Sequence, residues 1–287
     1  MNKTYLLLIA TFGISSCAYA QSPAQNLMPD GSHDMYLGLG VLSRPLYEGA
    51  NRTKRRMVPV MQMQWSNGVF VAGMSAGWHL SQTFDQEFGP IISLEPSRTA
   101  SGTSGSIQVS GDSRNDVFFP ESGVRYSSAQ QNRLLGLDDI HTRLLVGGFY
   151  NYQLNSNLRQ TNTLVFGAGN DQRGIRLSSD LRYHLKDALP HHQFTFGVGF
   201  TLINHAYANS YFGVSKLEAD RSVNSSYSAH AGIKDVHTDI FWNWNLNSSW
   251  MITSKLNVNR LVGENRNSPL IERKANVSVS SAIAYRF

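Results

Sequence analysis

Between Gln193 and Leu202 every second residue is large and apolar: Phe194, Phe196, Val198, Phe200 and Leu202 fall on one side, and Gln193, Thr195, Gly197, Gly199 and Thr201 on the other. A repeat of two is the side-chain period of a strand, whereas a helix would scatter these residues around its circumference. The alternation returns in Ile175, Leu177, Leu181, Tyr183 and Leu185 against Arg176, Ser178, Asp180, Arg182 and His184. It returns again in Val236, Thr238, Ile240, Trp242, Trp244 and Leu246 against His237, Asp239, Asn243 and Asn245, with Phe241 the exception. Phe70, Ala72, Met74, Ala76, Trp78 and Leu80 continue it near the front. Val277, Val279, Ser281, Ile283, Tyr285 and Phe287 carry it to the last residue.

Turn signals such as Ser66-Asn67-Gly68, Gly169-Asn170-Asp171 and Asn247-Ser248-Ser249 separate these runs. They place strands near 35–43, 56–65, 69–80, 87–95, 141–154, 160–169, 173–185, 192–204, 225–233, 235–246, 250–262 and 274–287. About 12 strands is an even number, as in a membrane barrel whose two ends lie on one side. Residues 96–138, rich in Ser and Gly, form one long connection, with a further hairpin at 106–110 and 117–126 as one way to fill it. Counted from the strand list, this connection follows the fourth strand and is expected on the periplasmic side.

Period two alone does not say which face meets water. The composition of the polar face decides, because a soluble sheet needs Lys and Glu there, while this one carries mostly Gly, Ser, Asn, Thr and Ala. Charged residues make up 16% of the chain, against roughly 25% in ordinary soluble proteins. Small and uncharged side chains suit a crowded lumen, so the apolar face is expected to point outward into lipid. Phe200 is then a lipid-facing residue, and Trp78, Tyr183, Trp242, Trp244 and Trp250 are candidates for the aromatic girdles or for ordinary packing. The expected fold is an all-β transmembrane antiparallel up-and-down barrel. Mean hydropathy, −0.27, is uninformative, since alternation hides a barrel's apolar residues.

Residues 1–20 read as an export signal, with Lys3, an apolar stretch from Tyr5 to Ile14, and the small-x-small site Ala18-Tyr19-Ala20 before Gln21. A lipidation box ending at Cys17 is the alternative. That cysteine is the only one, so residues 21–287, the expected barrel domain, can form no disulfide. Without Lys3 there are 24 basic and 20 acidic residues, a net charge of +4 with no basic block beyond Arg52, Lys54, Arg55 and Arg56. An exported chain with this balance is not expected to bind nucleic acid. The basic loop is either solvated or a contact for lipopolysaccharide phosphates.

Three stretches resemble the MltA-interacting protein family, also called MipA/OmpV: Arg44-Pro45-Leu46-Tyr47-Glu48-Gly49, Tyr211-Phe212-Gly213-Val214-Ser215, and Asn267-Ser268-Pro269-Leu270-Ile271. Gly136-Leu137-Asp138-Asp139 with Gly147-Gly148-Phe149 is a weaker match. The C-terminal Ile283, Tyr285 and Phe287 resemble the signal by which outer-membrane barrels are recognised for insertion. The resemblance implies an outer-membrane barrel, set among lipid and lipopolysaccharide. It also implies a scaffold role joining a murein lytic transglycosylase to a penicillin-binding synthase, with porin-like or adhesive roles as the alternative. It supplies no catalytic residues.

The residues themselves offer little independent chemistry, and no cofactor is implied. Arg176, Asp180, Arg182, His184, His230, His237 and Asp239 are expected on one lumenal face across three strands. They would bind a solute, act as acids and bases in an unrecognised lumenal enzyme, or pair with one another as a plug. His191 and His192, adjacent on a continuing strand, would point to opposite faces and could not chelate a metal together; His205 stands apart. No nucleophile sits in a recognisable motif, and Gly38-Leu39-Gly40 and Gly197-Val198-Gly199 lie along strands, so they are not phosphate loops. A non-enzymatic barrel is the expectation.

Overall fold

The computed structural model describes residues 33–83, 85–103 and 132–287. Within them the strands are β1 (His33–Pro45), β2 (Thr53–Trp65), β3 (Val69–Ala72), β4 (Ser75–Trp78), β5 (Ser81–Gln82), β6 (Gln86–Glu95), β7 (Arg98–Thr99), β8 (Gly102–Thr103), β9 (Arg143–Gln153), β10 (Leu158–Ala168), β11 (Gly174–Leu189), β12 (His192–Ile203), β13 (Gly232–Asn245), β14 (Trp250–Leu261) and β15 (Ala275–Arg286). Helices α1 (His205–Phe212) and α2 (Lys216–Asp220) lie between β12 and β13. Twelve of the strands close an antiparallel ring in the order β1-β2-β3-β4-β6-β9-β10-β11-β12-β13-β14-β15. The last joins the first through register pairs running from Tyr36 with Arg286 to Ser43 with Val279. β5 continues the line of β4 along β6, and β7 and β8 form a separate hairpin. The expected export signal and the expected hairpin at 106–126 lie outside the described residues.

The wall is apolar outward, as the alternation requires. On β15 the exposed residues Val277, Val279 and Ile283 interleave with buried Ser280, Ala282 and Ala284. Leu37, Leu39 and Val41 do the same on β1, and Phe196, Val198 and Phe200 on β12. Closing the sheet pairs the backbones of the wall strands within the protein, apart from the 53–60 stretch of β2, and such pairing is the condition for crossing a bilayer with strands. No helix among the described residues is long and apolar enough to cross a membrane. Phe241 is the apolar exception among the inward residues of β13 and is 1% exposed.

Two expected strands are corrected. The run 69–80 is two strands joined by a tight turn at Gly73-Met74, where Gly73 has φ 61° and Ala72 pairs with Ser75. A two-residue hairpin asks for such a glycine. The turn inverts the sense of the alternation, so Phe70 and Ala72 are buried inside while Trp78 and Leu80 are exposed. Conversely, 225–233 is mostly not a strand: before β13 it makes a single bridge, Val214 with Tyr227. The two departures cancel in the strand total but not in parity. The 96–142 connection follows the fifth wall strand, not the fourth, and leaves the barrel at the end opposite both β1's start and β15's end. That end also carries connections 46–52, 204–231 and 262–274; the other carries only short turns.

Those short turns are built by side-chain caps. Asn155 Oδ1 accepts from the N–H of Asn157 and Leu158, and Asn247 Oδ1 from Ser249 and Trp250. Among the described residues β2 pairs with β3 only at Gln62 to Gln64, so its 53–60 stretch has a strand neighbour on one side. Pro59 and a run of basic residues sit there, which suits an edge.

Candidate functional site: the charged lumen and its cap

Strand parity turns Arg176, Asp180 and Arg182 of β11 and His237 and Asp239 of β13 into one lumenal cavity of about 400 Å³. Between these strands runs β12, and at this level it contributes Gly197 and Gly199. A Cβ on Gly197 would lie 2.0 Å from Asp239 Oδ2, and one on Gly199 2.7 Å from His237 Nε2. The two glycines make room for the charges of the neighbouring strands. His184 shares the β11 face further along, with Nδ1 3.0 Å from Thr195 Oγ1. His230 does not join the cluster. It lies in the loop before β13, with Nδ1 3.0 Å from Glu264 Oε2, because the strand expected around it does not form.

Most of the lumenal charges are paired. His237 sits between two carboxylates, Nε2 2.9 Å from Asp180 and Nδ1 2.8 Å from Asp235. Asp235 in turn lies 2.9 Å from Lys234 Nζ, which reaches both oxygens of Glu48 at 2.9 and 3.0 Å. Adjacent residues normally face opposite ways, but the pairing with β12 shifts between Thr201 and Leu202, leaving Lys234 as an extra residue. The bulge lets Lys234 and Asp235 both be buried. Elsewhere Arg176 donates to both oxygens of Glu95 at 3.0 and 2.9 Å, and Arg159 to Glu87 at 2.5 Å. These two pairs tie β6 to β11 and β10. Lys255 Nζ rides 4.4 Å from the centre of the Phe241 ring.

His237 is poorly placed to act as a general base. Both ring nitrogens of His237 are engaged by carboxylates, and the nearby Thr201 hydroxyl donates to Asp235, not to the imidazole. A general base needs a free nitrogen toward its nucleophile. No metal-holding group of three exists among the described residues. His191 occupies a turn with φ 65°, His192 stacks outside the wall on Trp242 and Trp244, and His205 lies on α1 with Nε2 2.8 Å from Asn209.

The three sequence motifs converge above the lumen. Tyr47 donates its hydroxyl to the carbonyl of Leu270 at 3.1 Å, and the N–H groups of Glu272 and Arg273 donate to the carbonyl of Gly49. Ser268 donates to the carbonyl of Phe212 at 2.6 Å, and Arg98 to that of Tyr211 at 2.7 Å. Pro45 ends β1 just before this contact, Gly213 caps α1, and Pro269 lies within the last motif's turn. Tyr207 and Phe212 of α1 are buried against Phe70, Phe149, Val165 and Leu261 of the wall, so the loop enters the mouth. Burial, with the Glu272 carboxylate beside it, pushes the Tyr47 hydroxyl well above its ordinary value. Burial likewise raises Tyr211 and lowers the Arg98 guanidinium. Leu134 packs with Tyr47, and Asp138 pairs with Arg221, bringing the weaker motif into the same cap.

At the other end Tyr285 meets Trp250 and Phe287 edge to face at 5.1 and 5.0 Å, with Ile283 exposed in the row above. The basic cluster divides. Arg52 and Arg55 are exposed, whereas Lys54 pairs in register with lumenal Arg44 and Arg56 with buried Leu42. Sequence reasoning missed Lys234, Asp235, Glu87, Glu95 and Arg159. Only the adjacent Lys234-Asp235, which breaks strict alternation, carried a visible signal.

The family model described as MltA-interacting protein MipA matches residues 37–287. The chain belongs to the MipA family. No curated protein matches it in sequence. Among solved structures it is similar to the KdgM porin (10% identity, 89% of this chain and 99% of that one, TM-score 0.35). It is also similar to the outer-membrane channel DcaP of Acinetobacter baumannii (10%, 93% and 100%, TM-score 0.35). At these values the likeness adds nothing to the strand pairing already described. The MipA chain is thus an outer-membrane β-barrel with a charged lumen, and its family motifs build the cap.

Proposed function

We propose that this MipA-family barrel is a non-enzymatic scaffold of the cell envelope that holds a murein lytic transglycosylase near a penicillin-binding synthase. The observation that carries the reading is the family match across 37–287, a family described by its interaction with that class of hydrolase. The His237 imidazole, engaged by a carboxylate at each nitrogen, supports a structural role. Both strand termini share the short-turn end, which in an outer-membrane barrel is the periplasmic one. The contact surface is therefore assigned to those turns, and the 96–142 connection to the outer face. Exposed Arg52, Arg55, Arg273 and Lys274 at the loop end suit lipopolysaccharide phosphates.

Affinity-tagged protein from detergent-solubilised envelopes should enrich murein hydrolases and synthases over an unrelated barrel of similar size. Equal recovery from both would overturn the scaffold reading. The lumenal cavity favours one alternative, a narrow channel, for which solute-dependent conductance in planar bilayers is the measurement.

A further inference from the structure

Two lumenal side chains keep unmet hydrogen-bonding capacity within the charged network. Asp239 is 3% exposed, yet neither carboxylate oxygen has a hydrogen-bond partner, and Lys255 Nζ lies 3.9 Å away. Arg182 makes no ion pair among the described residues; its Nε is buried without an acceptor, and its guanidinium lies 5.6 Å from the Phe241 ring centre. The two belong to one register row, Arg182 opposite Gly197 and Gly197 opposite Asp239. Two strand spacings, roughly 9.5 Å, therefore separate their backbones, with a glycine in between. Both line the cavity of about 400 Å³.

A carboxylate withdrawn from water without donors is costly, and so is a guanidinium without acceptors. The neighbouring charges meet them only in part: Lys255 reaches Asp239 at 3.9 Å without a hydrogen bond, Asp180 and Asp235 both face His237, and Arg176 is held by Glu95. A simple anion in the cavity would satisfy Arg182 and be repelled by Asp239. A simple cation would do the reverse. The geometry points to a lumenal binding site for a small zwitterion of amino-acid or dipeptide size, its ammonium donating to Asp239 and its carboxylate accepting from Arg182. This site is independent of any protein partner at the periplasmic turns.

The test is calorimetric titration of the detergent-purified mature chain with L-alanyl-L-alanine, its N-acetyl form and its C-terminal amide, at fixed ionic strength. The free dipeptide should bind, and each blocked form should bind at least tenfold more weakly. D239N should weaken the free dipeptide tenfold or more and abolish discrimination against the N-acetyl form, while R182Q should abolish discrimination against the amide. Heat-modifiable gel migration would verify that both variants fold. If either does not, the blocked ligands on the unaltered protein decide. No binding of the free dipeptide, equal binding of all three ligands, or unchanged binding in both folded variants would overturn the proposal.

Discussion

Phe200 stands six residues along β12 from Phe194, which pairs with Trp242, and it is 38% exposed on the outer face. Its neighbours in the chain, Gly199 and Thr201, face the lumen, so one position separates hydrocarbon from a hydrogen-bonded charge cluster. Phe200→Arg should cost about 2–4 kcal/mol near the bilayer midplane, read from urea titration of the protein folded into lipid vesicles. Stability equal to that of the parent would place Phe200 away from lipid and reverse the sense of the whole wall. Gly199 shows the complementary constraint: its missing side chain is the space that His237 and Asp180 occupy. Alternation alone exposes the apolar row, while the purpose of the glycines is visible only once the strands beside them are known.

At the scale of elements, alternation located most strands to within a few residues, as in β12, expected at 192–204 and found at His192–Ile203. It failed where a repeat of two passed unbroken through the Gly73-Met74 turn, and where Tyr227 and Ala229 alternate with polar residues beneath the cap instead of within a sheet. Lumenal pairing was half legible. Which residues face inward follows from parity, but that Glu95 meets Arg176 depends on which strands lie opposite across the barrel. Helix α2 is a further element no period revealed. Ser215 caps it in a reciprocal box with Glu218, whose carboxylate also accepts from the N–H of Asp138 at 3.0 Å. Burial pushes the Glu218 carboxyl upward, but these N–H donors outweigh it and hold the group below its ordinary value. Its support for the cap should therefore be fully present above the ordinary glutamate range and disappear as the pH falls through the lowered value. Hydrogen exchange at Ser215 and Asp138 should quicken over that acid window. In Glu218→Gln the same amides should show no such pH dependence beyond intrinsic exchange, and a parent-like transition in the variant would assign it to another group.

For the whole molecule, wall and cap are separable in their chemistry. The wall closes through backbone pairing between β1 and β15, and the first, middle and last family motifs lie at its loop end, where they bind one another. This explains why residues far apart in sequence mark one family: Tyr47, Phe212 and Ser268 meet only when the sheet has closed and brought β1 beside β15. The cap contributes Tyr207, Tyr211 and Phe212 to the mouth, whereas the ring of twelve strands pairs without it. Replacing residues 205–230 by a short Gly/Ser linker should thus leave a folded barrel, still heat-modifiable on gels, with the aromatic plug gone from its mouth. Single-channel conductance in planar bilayers should then rise well above that of the intact protein. Unchanged conductance in a folded variant would mean that the paired charges of the lumen, Arg176 with Glu95 and His237 with its two aspartates, are themselves the barrier. Failure of the ring to close would mean that the core shared by α1 with Phe149, Val165 and Leu261 is required for the wall.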